Sequence, residues 1–189
     1  MLFSANFSGL SVVATLALLL ITNTYSRAES PQTQRQCLIG DRYRFGLQER
    51  VDQIDAFPTR INALIDSGST LSSMDARDIK IRKHTNGTLW VYFSVHSGGT
   101  QQEMVNMIKP LKRYARVQTH SGVPQKRPVI EATIRLGPVE TRTDFSLTSR
   151  SRFKNQILLG TNTLKNLAVI DLSEEFLLKK HCLHISRHP

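Results

Sequence analysis

The stretch Ile61-Asn62-Ala63-Leu64-Ile65-Asp66-Ser67-Gly68-Ser69-Thr70 constrains this chain more than any other. An apolar run leads straight into an acid and a small-residue turn, so a buried strand delivers one carboxylate to a tight loop. A carboxylate at the end of such a strand is partly desolvated, and its protonation can be tuned there. Ser67 sets a hydroxyl beside it, and Gly68 lets backbone N–H groups approach with no Cβ in the way. Ser69 and Thr70 can hydrogen-bond the turn from outside. By itself, Asp-Ser-Gly is also an ordinary turn sequence.

A second stretch bears on the first. Gln156-Ile157-Leu158-Leu159-Gly160 is an apolar strand ending in Gly, and Thr161 to Asn166 reads as a short polar-capped helical turn. Between the two stretches lie several short strands. Ile79 to Arg82 and Leu89 to Val95 flank Asn86-Gly87, a strong hairpin signal. Leu89, Val91, Phe93 and Val95 share one face. Met104 to Leu111 has helical spacing, but Pro110 inside it argues for an extended piece. Val117 to Leu136 reads as strand, turn at Ser121-Gly122-Val123-Pro124, and return strand. Asp144 to Thr148, Leu167 to Leu172 and Phe176 to Leu178 complete the set. Many short strands separated by turn residues predict a mainly β, closed or barrel-like domain.

Five motifs in register carry a family resemblance: Asp66-Ser67-Gly68-Ser69 with Ser72-Ser73 and Ala76, Trp90-Val91-Tyr92-Phe93, Arg127-Pro128-Val129-Ile130, Leu147-Thr148-Ser149-Arg150, and Leu158-Leu159-Gly160. Over roughly Gly46 to Asp171 the chain resembles the retropepsin-like aspartic proteases, in particular a bacterial branch often labelled ATP-dependent zinc proteases. Ser69 stands where that branch usually has Ala, and Thr161 where an Arg usually follows the Gly. The resemblance implies a single retropepsin-like domain, one half of an acid protease, with one short helix. It implies Asp66 as the catalytic carboxylate, supported by Ser67, Gly68, Ser69 and Thr70. Leu158, Leu159 and Gly160 would cross beneath the loop. Ser121, Gly122 and Val123 would tip a flap that closes over substrate, or an ordinary exposed hairpin. The label's zinc and ATP have no basis in the sequence, which contains no His-Glu-x-x-His and no glycine-rich phosphate loop. No metal and no cofactor are expected.

The chain's ends carry separate signals. Leu10 to Ile21 is an apolar run of signal-peptide length, too short for a comfortable membrane span, and Ser26-Arg27-Ala28 offers a cleavage site. The n-region lacks Lys and Arg, which leaves an uncleaved N-terminal anchor as the alternative. Residues 1–28 are thus read as a signal peptide, 29–45 as a polar tether, 46–180 as the domain and 181–189 as a basic tail. Export favours a Cys37–Cys182 disulfide, and two free thiols are the alternative in a reducing compartment. His181, Cys182, His184 and His188 have spacings that can clasp a metal, but a polar tail has the same composition.

The formal charge is +10, and removing residues 1–28 with their single Arg leaves +9. A surplus of that size suits an acidic partner or an anionic envelope surface, or is simply a solvated basic face. No aromatic platform or basic helix points to nucleic acid. Asp171 follows a second apolar run but lacks the Gly of a catalytic loop, so each chain carries one such loop. Aspartic-protease chemistry needs two carboxylates sharing a proton, which implies a homodimer. The sequence thus predicts an exported, periplasmic or secreted aspartic endopeptidase acting on peptide or protein substrates. The alternative is a non-catalytic binding or assembly module of the cell envelope with the same fold.

Overall fold

Alternating burial builds the strands. In a computed structural model describing residues 36–98, 103–118 and 122–182, β3 (Gln48–Ile54) turns back into β4 (Phe57–Ile65). Along β4 the inward residues are Thr59, Ile61, Ala63 and Ile65, every second position. The later strands β5 (Ser72–Asp75), β10 (Gln125–Leu136), β11 (Val139–Thr148) and β12 (Ile157–Leu159) join these two. Their order is β11-β5-β12-β4-β3-β10, and β10 pairs again with β11, so six strands close into a barrel. Closure leaves no free edge within the ring and buries Ile54, Ile61, Phe145, Leu147, Ile157 and Leu159 inside it. The expected mainly β, closed-barrel architecture is what the chain adopts.

Two smaller sheets flank the ring. One is β6 (Arg77–Lys83), β7 (Leu89–His96) and β8 (Met104–Pro110), antiparallel in that order. Its first hairpin turns at Asn86-Gly87, with Gly87 at φ +84. Val91, Phe93 and Val95 bury one face of β7, while Leu89 at its start is 40% exposed. Lys109 on β8 pairs with Asp55 in the β3–β4 turn at 2.9 Å and ties this sheet to the barrel. The segment with Pro110 is extended, as the proline requires.

The other sheet is β1 (Leu38–Ile39), β2 (Arg42–Gly46) and β13 (Ala168–Asp171). Part of the stretch read as a polar tether is therefore built into the domain: Cys37, Tyr43 and Phe45 are buried. Tyr43 and Phe45 alternate with Arg42 and Arg44 there, a signal too short among charges to stand out from a polar tether. A second correction concerns Phe176 to Leu178, expected as a strand. Phe176 takes a left-handed conformation at φ 58, and Leu177–His181 is a helix, giving two short helices where one was expected. A short apolar run suits either state, and buried Glu49 decides it here by accepting the N–H groups of Leu177 and Leu178. The proposed signal peptide lies outside the described residues, and among those described no helix is long and apolar enough to cross a membrane.

Candidate active site

Asp66 directly follows β4, and its position is fixed by the neighbouring strand. β12 runs parallel to β4 with Leu158 opposite Leu64 and Leu159 opposite Ile65. The Asp66 N–H continues that ladder by donating to the Leu159 carbonyl at 3.0 Å. Beyond it the chain turns sharply. The Gly68 N–H donates to Asp66 Oδ1 at 2.9 Å, and the Ser69 hydroxyl donates to Oδ2 at 3.0 Å. Each carboxylate oxygen thus holds one donor from its own loop, which orients the group. A Cβ at Gly68 would lie 3.2 Å from Oδ1, so a larger residue would crowd the carboxylate.

The loop is held from beneath as well. The Ser69 carbonyl accepts from Thr161 N–H at 2.8 Å and the Thr70 carbonyl from Asn162 N–H at 3.1 Å, both at the start of α1 (Thr161–Leu164). Of the side chains that lock this junction, Ser72 belongs to the loop motif, while Thr143, Asn162 and Thr163 carry no sequence signal of that role. Ser72 Oγ receives the Gly160 N–H at 2.9 Å and itself bonds Asn162 Oδ1 at 2.8 Å and Thr163 Oγ1 at 2.6 Å. Thr163 Oγ1 continues to Thr143 Oγ1 at 2.8 Å. Ser67 and Thr70 are exposed at the tip.

A cleft of about 440 Å³ opens beside the loop. Gly68 to Leu71 form one wall, and Arg116, Arg127 and Arg150 line it elsewhere. Arg116 lies on β9 (Arg113–Val117), which pairs with β10 as a hairpin, Val117 opposite Gln125. Gly122, at φ +78, and Val123, 67% exposed, belong to the turn of that hairpin, and Ser121 lies outside the described residues. Burial pushes the Arg150 guanidinium below the ordinary arginine range, Asp75 pulls it back, Arg127 lowers it further, and Asp66 again raises it. The cleft is thus cationic, and it meets the Asp66 loop through Gly68 to Leu71.

Residues 44–181 match the profile of the RimB-like family, described as retropepsin-like aspartic endopeptidase RimB. The chain belongs to that family. The matched span takes in the whole RimB-like barrel, the Asp66 loop, β12 and α1. The chain is also 30% identical over 128 residues to a probable alpha-L-glutamate ligase of Shewanella pealeana, and 31% identical over 129 residues to one of Shewanella halifaxensis. These alignments cover 65% of this chain and 28% of each relative, so the chain spans little more than a quarter of their length. The crystal structure of Lpg0085, a Legionella pneumophila protein of unknown function, shares the fold with a TM-score of 0.58 at 21% identity, covering 70% of this chain and 95% of that one.

The remaining sequence candidates sit away from the loop. Cys37 and Cys182 are bonded to each other, with Cα atoms 5.3 Å apart. Asp171 closes a turn with Ser173 and pairs with Arg44, and these bonds hold its carboxyl down at about 2. His181 ends the second helix, α2 (Leu177–His181), while His184 and His188 lie outside the described residues. Among the described residues no group of three or more His, Cys, Asp or Glu side chains is placed to hold a metal ion.

Proposed function

We propose that this RimB-like chain is an exported aspartic endopeptidase whose working form is a homodimer with paired Asp66 carboxylates. The observation that carries the reading is the Asp66 loop itself, with one donor on each carboxylate oxygen and a cleft beside it. In the dyad, the ionised Asp66 takes a proton from water as the water oxygen attacks the peptide carbonyl carbon. The protonated Asp66 of the second copy gives its proton to the carbonyl oxygen. Collapse of the tetrahedral intermediate breaks the C–N bond, and the amine leaves with a proton from the dyad. The β9–β10 hairpin acts as a flap that excludes water during these steps.

Three cleft arginines favour a peptide carrying acidic side chains, because guanidinium groups bind carboxylates in a matched fork. The glutamate ligase names of the Shewanella relatives agree with glutamate-containing substrates. The Cys37–Cys182 bond supports an oxidising compartment, hence export.

The test combines sedimentation equilibrium with peptide hydrolysis across protein concentration. Specific activity should rise as dimer forms, and adding Asp66→Asn chains should poison the wild type through mixed dimers. A stable, inactive monomer at all concentrations would favour the non-catalytic envelope module. Concentration-independent, Asp66-dependent activity in a monomer would remove the shared dyad.

A further inference from the structure

The Leu147-Thr148-Ser149-Arg150 segment leaves β11 and ends in an arginine that is only 6% exposed. The Arg150 backbone N–H donates to the Asp75 carboxylate. Its Nε donates to the Asn155 carbonyl at 3.0 Å and its Nη1 to Ser73 Oγ at 2.9 Å. Nη2 has no acceptor among the described residues. The guanidinium is thus fixed through its other nitrogens, and Nη2 is not a buried orphan.

Arg150 faces two cavities. One is the cleft beside the Asp66 loop, and the other, of about 370 Å³, lies between the barrel and the β6–β8 sheet. Arg60, Arg77, Arg150 and Lys154 line this second cavity, with His96 beside them and Asp75 as its one carboxylate. Asp75 is already engaged by the Arg150 N–H and by Arg77 at 3.4 Å. Arg60 and Lys154 form no ion pair with any described residue. The wall is fixed backbone: Arg60 N–H donates to the Ser97 carbonyl at 2.8 Å, and a Cβ at Gly98 would lie 2.4 Å from the Arg60 carbonyl oxygen. The Arg150 guanidinium carbon lies 4.7 Å from the Phe153 ring centroid, a cation–π contact.

We propose that this second cavity binds a compact, multivalent oxyanion through Arg60, Arg77, Arg150 and Lys154. Four fixed-charge cations against one engaged carboxylate leave a surplus that a single negative charge would not neutralise. The cavity is too small for a folded partner and suits a molecule with two or three phosphate or carboxylate groups, which arginine forks hold equally well. The site needs no catalytic event at Asp66 and shares only Arg150 with the cleft beside that loop.

Isothermal titration of the purified chain at fixed ionic strength, with inorganic tripolyphosphate and with citrate, tests the site. Saturable one-to-one binding of at least one anion is expected, and the tighter of the two tells phosphate from carboxylate chemistry. Arg60→Glu/Lys154→Glu should weaken it about tenfold or more. Lys83→Glu/Lys165→Glu, an equal change of charge on exposed residues elsewhere, should leave it within about twofold. Should the first pair misfold by circular dichroism, Arg60→Gln/Lys154→Gln takes its place with the same expectation. Failure of both anions to saturate below about 10 mM would overturn the proposal. Equal weakening in the two double variants would do the same, as would binding abolished by Arg116→Glu, which lies in the other cleft.

Discussion

A Cβ at Gly160 would sit 2.6 Å from the Ser69 carbonyl oxygen and 3.0 Å from the Leu71 carbonyl carbon. Both neighbours are backbone and cannot rotate away. Gly160 has an ordinary φ of −92, so the requirement is space alone: β12 passes that closely under the Asp66 loop.

Gly160→Ala is therefore expected to cost about 1–3 kcal/mol, because overpacking here must displace the loop backbone. Urea unfolding measures the loss. Any Asp66-dependent hydrolysis should fall further than the stability does, since the displaced atoms carry the Ser69 hydroxyl. An alanine variant with the wild-type midpoint would mean that the loop and β12 are not in contact.

Stability should also depend on pH through Glu49. This side chain is 1% exposed, and burial raises its carboxyl to about 7 against the backbone N–H groups of Gly46, Leu178 and Leu177 and the charge of Lys180. Unfolded, it ionises near 4.5, so between those values the folded chain holds more protons. The contribution is full below the unfolded value and is lost as pH rises through about 7. Its size is on the order of 3 kcal/mol. Asp171 acts oppositely: held at about 2, it stabilises above 3.8 and loses that contribution as pH falls through about 2. Urea midpoints should therefore decline from about pH 5 to about pH 8. Glu49→Gln keeps the accepting oxygen and should flatten that decline. An unchanged slope in the variant would assign the pH dependence elsewhere.

The strand into the loop was legible as an apolar run from Ile61 to Ile65, and β7 because Val91, Phe93 and Val95 alternate inward. Asn86-Gly87 announced its hairpin because the turn needs a positive φ that Gly supplies. The loop was legible for the same local reason, since its acid, glycine and hydroxyls are adjacent in sequence. The junction beneath it was not. Ser72 meets Asn162 and Thr163 across a sequence separation of about 90 residues, and nothing local marks them as partners. Leu177 and Leu178 misled for a related reason. Their helix is fixed by Glu49, a charged residue on a distant strand that no periodicity would connect to them.

The Cys37–Cys182 bond closes a loop with a sequence separation of 145 and pins β1 to the second helix. In the chain-entropy account a loop of that length stabilises by about 5 kcal/mol. Cys37→Ser/Cys182→Ser should lower the urea midpoint accordingly, and a reductant should lower the wild type but not the variant. Insensitivity of the wild type to reductant would show that the bond is absent in solution.

The most direct measurement is hydrolysis of a glutamate-rich peptide by wild type and by Asp66→Asn, followed by mass spectrometry of the products. Asn keeps the Gly68 N–H on its carbonyl oxygen and nearly the same shape, so the variant should fold and bind as wild type does. It cannot take a proton from water. Cleavage by wild type with an acidic optimum is expected if two Asp66 carboxylates share one proton in the proposed dimer. Asp66→Asn should show no cleavage above the uncatalysed rate. Equal cleavage by the two proteins would contradict the assignment of Asp66 as the catalytic acid.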